Sequence, residues 1–323
     1  MNSTKRVFKY FPRFVMLVIT AGIFVAATFS AAPAALAQRR RNKSVASTSN
    51  KSITVQTEAS AIIWLDEVRR GVTDAAGKLT IINIAPGRHT LRVRASGFSE
   101  KTLTLLATKR GNIKVALART TNEAELFFQQ AEAARESARD EETRRAAAEL
   151  YRRALEKRPR FPAAHVGLAR VLLDLNETNE ALEQIAQARR DRALYPEASA
   201  VEGRILREAA FTDRAIESFR RSIREARGFQ PEAHTGLARV YEDKGMYEEA
   251  AAEFRAAIAQ LSDTEPVLYQ LLGAAYEKQE KYKEAVAAYE KYLQLAPEGT
   301  YASALRSILD QLRQQAAEQQ SNP

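Results

Sequence analysis

Three arginines stand at matching intervals in the middle of the chain: Arg170, Arg204 and Arg239, separated by 34 and 35 residues. A guanidinium is a planar fork of donors that meets a carboxylate at two points. Three of them along one helical face suit an acidic or carboxylate-terminated peptide. Each is also followed four residues later by an acid, Asp174, Glu208 or Asp243, with Glu242 beside the last. An i,i+4 pair of that kind on an exposed helix is worth only a few tenths of a kcal/mol. Two readings are therefore open. Either the arginines contact a partner, with Asp174, Glu208, Glu242 and Asp243 shaping selectivity, or they are surface arginines paired with their own neighbours.

Catalytic chemistry has less to stand on. There is no cysteine, which excludes thiol nucleophiles, disulfides and a cysteine-linked lipid. The three histidines, His89, His165 and His234, lack companion ligands at metal-binding spacing and belong to no nucleophile–base–orienter set. Gly71 to Leu79 (GVTDAAGKL) imitates a phosphate-binding loop. It has five residues between its glycines instead of four, Leu79 where Ser or Thr would hold magnesium, and no helix following. It reads as a β-turn. Trp64, the single tryptophan, is expected in a core. The expectation is a protein that is not an enzyme and uses no cofactor or metal.

The elements that must position the arginines repeat. Ala147, Ala181, Ala215, Ala250 and Ala285 recur at intervals of 34, 34, 35 and 35 residues, a period of helix–turn–helix units that bury their apolar faces only by stacking. The last unit is the most complete: Tyr269-x2-Leu272-Gly273-x2-Tyr276, then Ala285-x3-Tyr289, then Pro297. Small residues at 273 and 285 let two helices cross closely, and Pro297 ends the second helix. His165, Leu168 and Ala169 precede Ala181, Gly203 and Leu206 precede Ala215, and His234, Leu237 and Ala238 precede Ala250. The first unit keeps Ala147, Tyr151 and Pro159, but its leading helix carries Arg135 at the crossing place.

This pattern resembles the tetratricopeptide repeat family over residues 124–318, as five hairpins over 124–299 and a capping helix over 300–318. The resemblance implies a right-handed solenoid whose concave groove, lined by the first helix of each hairpin, holds a protein or peptide. The family's carboxylate-clamp variety needs Asn and Lys at groove positions where Gly167, Val201 and Gly236 stand, so a chaperone-type clamp is not implied.

Residues 52–118 have a different texture. Short alternating runs at Ile53–Val55, Ala61–Leu65, Leu79–Ile84, Leu91–Val93, Leu103–Leu105 and Ile113–Leu117 are separated by Gly, Asp and Pro-Gly turn signals. That is the signature of a small all-β sandwich. Ser60-Ala-Ile-Ile-Trp-Leu-Asp66 resembles the opening of PEGA domains. Ile84-Ala-Pro-Gly-Arg-His-Thr-Leu91, followed by Gly97-Phe98, is similar to carboxypeptidase regulatory-like domains. The proline and glycine of the PEGA name are replaced by Thr57–Ser60. Both resemblances imply an exported accessory sandwich without catalysis. The fold class expected is thus multidomain, a small all-β sandwich followed by an all-α solenoid.

Ahead of the sandwich, Lys5, Arg6, Lys9 and Arg13 precede an uncharged apolar run from Phe14 to Phe29 and an Ala35-Leu-Ala37 site. This describes a secretory signal peptide over 1–37. The basic residues from Arg39 to Lys43 keep an uncleaved signal anchor, and hence membrane association, as the alternative. Residues 38–51 read as a disordered basic linker. The chain carries 49 basic and 40 acidic residues, a net charge of +9. Eight of the basic residues precede Ser44 and no acid does, so the rest is nearly neutral. A nucleic-acid footprint is not expected there. The expected function is an exported, periplasmic or envelope scaffold that binds a protein partner in its groove. The alternative is a cell-wall or surface-polymer binder acting through the sandwich, with the repeats used for assembly.

Overall fold

The computed structural model describes residues 51–321 apart from 67, 85, 86 and 262. The leader read over 1–37 and nearly all of the linker read over 38–51 lie outside the described residues; Lys51 already opens the first strand.

Among the described residues, seven strands come first: β1 (Lys51–Gln56), β2 (Ile62–Leu65), β3 (Val68–Val72), β4 (Lys78–Ile84), β5 (His89–Arg94), β6 (Lys101–Leu105) and β7 (Gly111–Lys114). They form a three-stranded sheet in the order β4-β1-β7 and a four-stranded sheet in the order β3-β2-β5-β6. All pairings are antiparallel except β1 with β7. Strand alternation sends Ile53, Val55, Ile81 and Ile113 of one sheet toward Ile63, Leu65, Leu91 and Val93 of the other, and these side chains form one buried core. The Gly71–Gly77 stretch is a strand end and a turn. Asp74 Oδ1 accepts from the amides of Ala76 and Lys78 at 2.9 and 2.8 Å. Gly77 sits at φ +71°, where a Cβ would lie 2.0 Å from the Thr57 carbonyl oxygen, so no other residue fits.

Two expectations need correction. Strand β3 has no counterpart in the sequence reading, because Arg69, Arg70 and Gly71 break the apolar alternation that identifies strands. Trp64 is not in the core. It alternates with the buried Ile63 and Leu65, so it points to the opposite face, where Arg92 and Arg94 stack over it at 4.3 and 5.0 Å.

Ten helices of the described residues then pair into five antiparallel hairpins: α1 (Glu123–Ser137) with α2 (Glu141–Lys157), α3 (Pro162–Asp174) with α4 (Thr178–Asp191), α5 (Pro196–Glu208) with α6 (Thr212–Glu225), α7 (Pro231–Asp243) with α8 (Tyr247–Leu261), and α9 (Val267–Glu277) with α10 (Tyr282–Leu295). A further helix, α11 (Ala302–Ser321), covers α10 with Leu305, Leu309 and Leu312. The recurring alanines are all fully buried, and each admits the close crossing within its hairpin. The small residues of the first helices face large rings. A Cβ on Gly167 would meet Tyr151 at 2.4 Å, one on Gly236 would meet Phe219 at 2.3 Å, and one on Gly273 would meet Tyr289 at 2.3 Å.

The turns of the last four hairpins each use one residue in the left-handed region: Asn176, Ala210, Gly245 and Glu280, at φ between 58° and 71°. The next amide then bonds back to the first helix, as in Glu177 N–H to the Leu172 carbonyl and Phe211 N–H to that of Leu206, both at 2.8 Å. This closes the orphan carbonyls at the helix end. Pro162, Pro196 and Pro231 open α3, α5 and α7, where a missing N–H costs nothing. Successive first helices also touch one another, α1 on α3, α3 on α5 and α5 on α7, so they make the inner layer and the stack curves around them.

Candidate partner-binding groove

The three sequence-selected arginines all project from first helices, but they do not share one environment. Arg170 of α3 is the most enclosed, with 19% of its side chain exposed. Its fork takes both carboxylate oxygens of Glu232 on α7, at 3.0 and 3.1 Å, and Glu197 on α5 at 3.2 Å. Burial opposes its charge, but Glu232 and Glu197 more than offset that and hold its pKa above the ordinary arginine value. Arg204 of α5 is more open and bonds Asp174 of the preceding repeat at 3.0 Å and its own Glu208 at 3.4 Å. Arg239 of α7 pairs with Glu242 at 3.1 Å. Burial lifts the Glu242 pKa above the usual carboxylate range, only partly countered by Arg239. Asp243 belongs to a different cation: Arg207 grips it at 2.7 and 3.2 Å.

Arg204 and Arg239, with Arg207, line an open pocket of about 500 Å³ whose floor is apolar, with Ala200, Phe219, Leu261 and Leu268. Arg170 lines an adjoining cleft of about 1120 Å³ between the inner helices and the outer face of the four-stranded sheet, with Glu232 on the rim of both. The structure thus brings two of the three arginines together over an apolar floor. It places the third in an ion-pair network that spans three repeats.

Sequence reading passed over Glu197, Glu232 and Arg207. The first two carried a signal: each directly follows a helix-opening proline, and the Pro-Glu pair recurs at 35 residues. Arg207 has no counterpart at its place in neighbouring repeats, where Leu173 and Glu242 stand, so no periodicity marks it.

The histidines serve structure. His165 bonds the Gln184 side chain at 2.7 Å and the Pro159 carbonyl at 2.9 Å, and His234 Nδ1 meets Glu253 at 2.6 Å. His89 Nδ1 meets Asp66 at 2.5 Å and fastens the β2–β3 turn. Among the described residues no three His, Asp or Glu side chains are placed to hold a metal ion. Among them, too, no helix is long and apolar enough to cross a membrane.

Tetratricopeptide-repeat family models match residues 138–205, 200–266 and 266–298. No curated protein sequence matches the chain. Among solved structures, PilF of Pseudomonas aeruginosa superposes with a TM-score of 0.51 at 18% identity, covering 61% of this chain and 88% of that one. The Cut9–Hcn1 hetero-tetramer of the APC/C gives 0.51 at 17%, covering 60% of this chain and 37% of that one. A thermophilic tetratricopeptide protein of Thermus thermophilus, TTC0263, gives 0.48 at 22%, covering 58% and 98%. At such identities the first two likenesses, with TM-scores of 0.51, are ones of fold.

Proposed function

With residues 138–298 identified as tetratricopeptide repeats, a fold of protein–protein interaction scaffolds, we propose that this protein is an exported, non-catalytic scaffold that holds a protein or peptide partner on the inner face of its helical stack. The observation that carries this reading is the open pocket on α5 and α7, where Arg204 and Arg239 stand beside an apolar floor. An apolar side chain fills the floor, and a carboxylate of the partner replaces Asp174, Glu208 or Glu242 as counter-ion, an exchange of one charge-assisted bond for another. Arg170 supports that surface through Glu232, and Asp243 does so by holding Arg207. Export rests on the basic–apolar–Ala-x-Ala pattern of the first 37 residues. The β-sandwich is read as an accessory module of the PEGA or carboxypeptidase regulatory-like kind.

The test is affinity capture from an envelope lysate with residues 38–323 as bait, beside an Arg204→Ala/Arg239→Ala bait of unchanged helical melting. A protein retained by the first and lost by the second supports the reading. Equal retention by both removes the arginines from it.

A further inference from the structure

The sandwich does not stand apart from the helical stack; the outer face of its four-stranded sheet lies along the inner helices from α1 to α7. The two walls of the 1120 Å³ cleft carry opposite charge. On the helical wall the glutamates outnumber Arg135, Arg170 and Arg192, and on the sheet wall the arginines outnumber Asp66 and Glu100. Glu197 and Glu232 already hold Arg170, and the cleft is crossed by the pairs of Glu132 with Arg94 and Glu136 with Arg69.

The attachment has two grades. At the base it is fixed: the buried Gln129 of α1 accepts from the Gly97 amide at 2.9 Å and donates to the Phe98 carbonyl at 2.8 Å. Beside it Arg94, 7% exposed, lies over Phe128 at 4.7 Å and reaches Glu132 at 3.4 Å. At the β2–β3 end it is light. Val68, half-buried, packs on the apolar cluster of α5–α9 and lines the open pocket. Arg69 meets Glu136 at 2.8 Å, with 44% and 36% of the two side chains exposed. An exposed pair of that kind holds weakly.

We propose that the β2–β3 end is an intramolecular ligand of the groove, and that this stretch of the groove recognises a partner segment of the same chemistry: an apolar residue followed by basic ones, presented on a hairpin. Such a segment binds by displacing Val68 and Arg69 while the base of the sandwich stays in place. The inference rests on the reading of the inner helical face as the binding surface, and it adds the chemistry of the partner. The seat of Val68 on the apolar cluster and the pairing of Arg69 with Glu136 of α1 are the observations behind it.

The probe is a cyclised, fluorescently labelled peptide of residues 62–72, titrated into the full chain and followed by anisotropy. Binding to the wild type is reduced by the fraction of time the built-in hairpin occupies the site. A Val68→Asp/Arg69→Glu chain, in which that hairpin is released, is expected to bind about tenfold more tightly. Adding Glu136→Arg to it is expected to weaken binding about tenfold again. Should the double variant lose its helical melt, Arg69→Ala alone replaces it, with a tightening of about threefold expected. Equal affinity of wild type and released variant, or no binding by either, overturns the proposal. The peptide assay does not use the native partner, and although Val68 lines the pocket of Arg204 and Arg239, both arginines are intact in every chain titrated. A partner captured through those arginines with no peptide binding therefore removes this inference alone. Peptide binding without any arginine-dependent capture removes the function proposed above and leaves this one.

Discussion

Arg170 and Glu232 are 62 residues apart, on helices two repeats removed, and their side chains meet in a two-point ion pair at 3.0 and 3.1 Å. The helix between them contributes Glu197 to the same guanidinium at 3.2 Å. Only a stack curved toward its first helices brings three successive repeats within reach of one side chain. The pair is thus part of what sets the groove's shape, and its energetics are open to measurement.

Replacing Arg170 by Ala leaves two carboxylates facing each other without a cation. Arg170 is enclosed but both glutamates are 40% exposed, so water screens much of the repulsion left behind. We expect a loss of about 1–2 kcal/mol, read from urea unfolding. Glu232→Gln is expected to cost less, because Glu197 remains on the guanidinium. The Arg170→Ala/Glu232→Gln chain is expected to be more stable than additivity of the two single changes allows.

Glu132 gives a pH dependence with a definite sign. Burial pushes its carboxyl up, but Arg135 and Arg94 beside it and the bonded Tyr151 hydroxyl together hold it below the ordinary value. Its stabilisation is therefore complete above the unfolded carboxyl's pKa, about 4.3, and is lost as pH falls through the folded value. Glu132→Gln is expected to lower stability by about 1–3 kcal/mol at neutral pH. The gap to wild type should narrow below about pH 4, checked by thermal melts across the acid range. A gap that is constant with pH contradicts the assignment.

The hairpin turns contain correctable strain. Ala210 and Glu280 occupy the left-handed conformation that Gly245 adopts in its own repeat. Ala210→Gly is expected to raise stability by about 0.5–1 kcal/mol, the relief of the Cβ clash less the added freedom of the unfolded chain. A chemical denaturation midpoint unchanged or lowered would count against it.

Gly236 shows the reverse. A Cβ there would stand 2.3 Å from the Phe219 ring, and one on Gly203 of the neighbouring first helix would stand 2.8 Å from the same ring. Gly236→Ala is expected to destabilise by about 1–3 kcal/mol through overpacking. In a Phe219→Leu background the added cost of the same change should shrink, because the smaller side chain leaves room.

What could be read from the residues follows physical range. The 34- and 35-residue rhythm of Ala147 through Ala285 reports a contact between neighbouring helices, so it repeats wherever the hairpin repeats and is visible without coordinates. Strands β1, β2 and β4–β7 likewise declared themselves by alternation, whereas β3 was hidden by Arg69, Arg70 and Gly71. Trp64 stands in the unbroken apolar run from Ala61 to Leu65, where imperfect alternation in residue type hides the face to which it points.

The amino-acid sequence alone determined that a β module precedes a stack of helical hairpins, because close crossing, turning and alternation depend on residues a few positions apart. It also determined which arginines sit on the first helices. The tertiary structure decided which acids those arginines meet, since Asp174 answers to Arg204 and Asp243 to Arg207, across repeats and not along one helix. It also decided that Val68 lies against the apolar cluster of α5–α9. Both outcomes depend on the curvature of the stack and the angle at which the sandwich meets α1, quantities that accumulate over the whole chain and leave no mark at any single position.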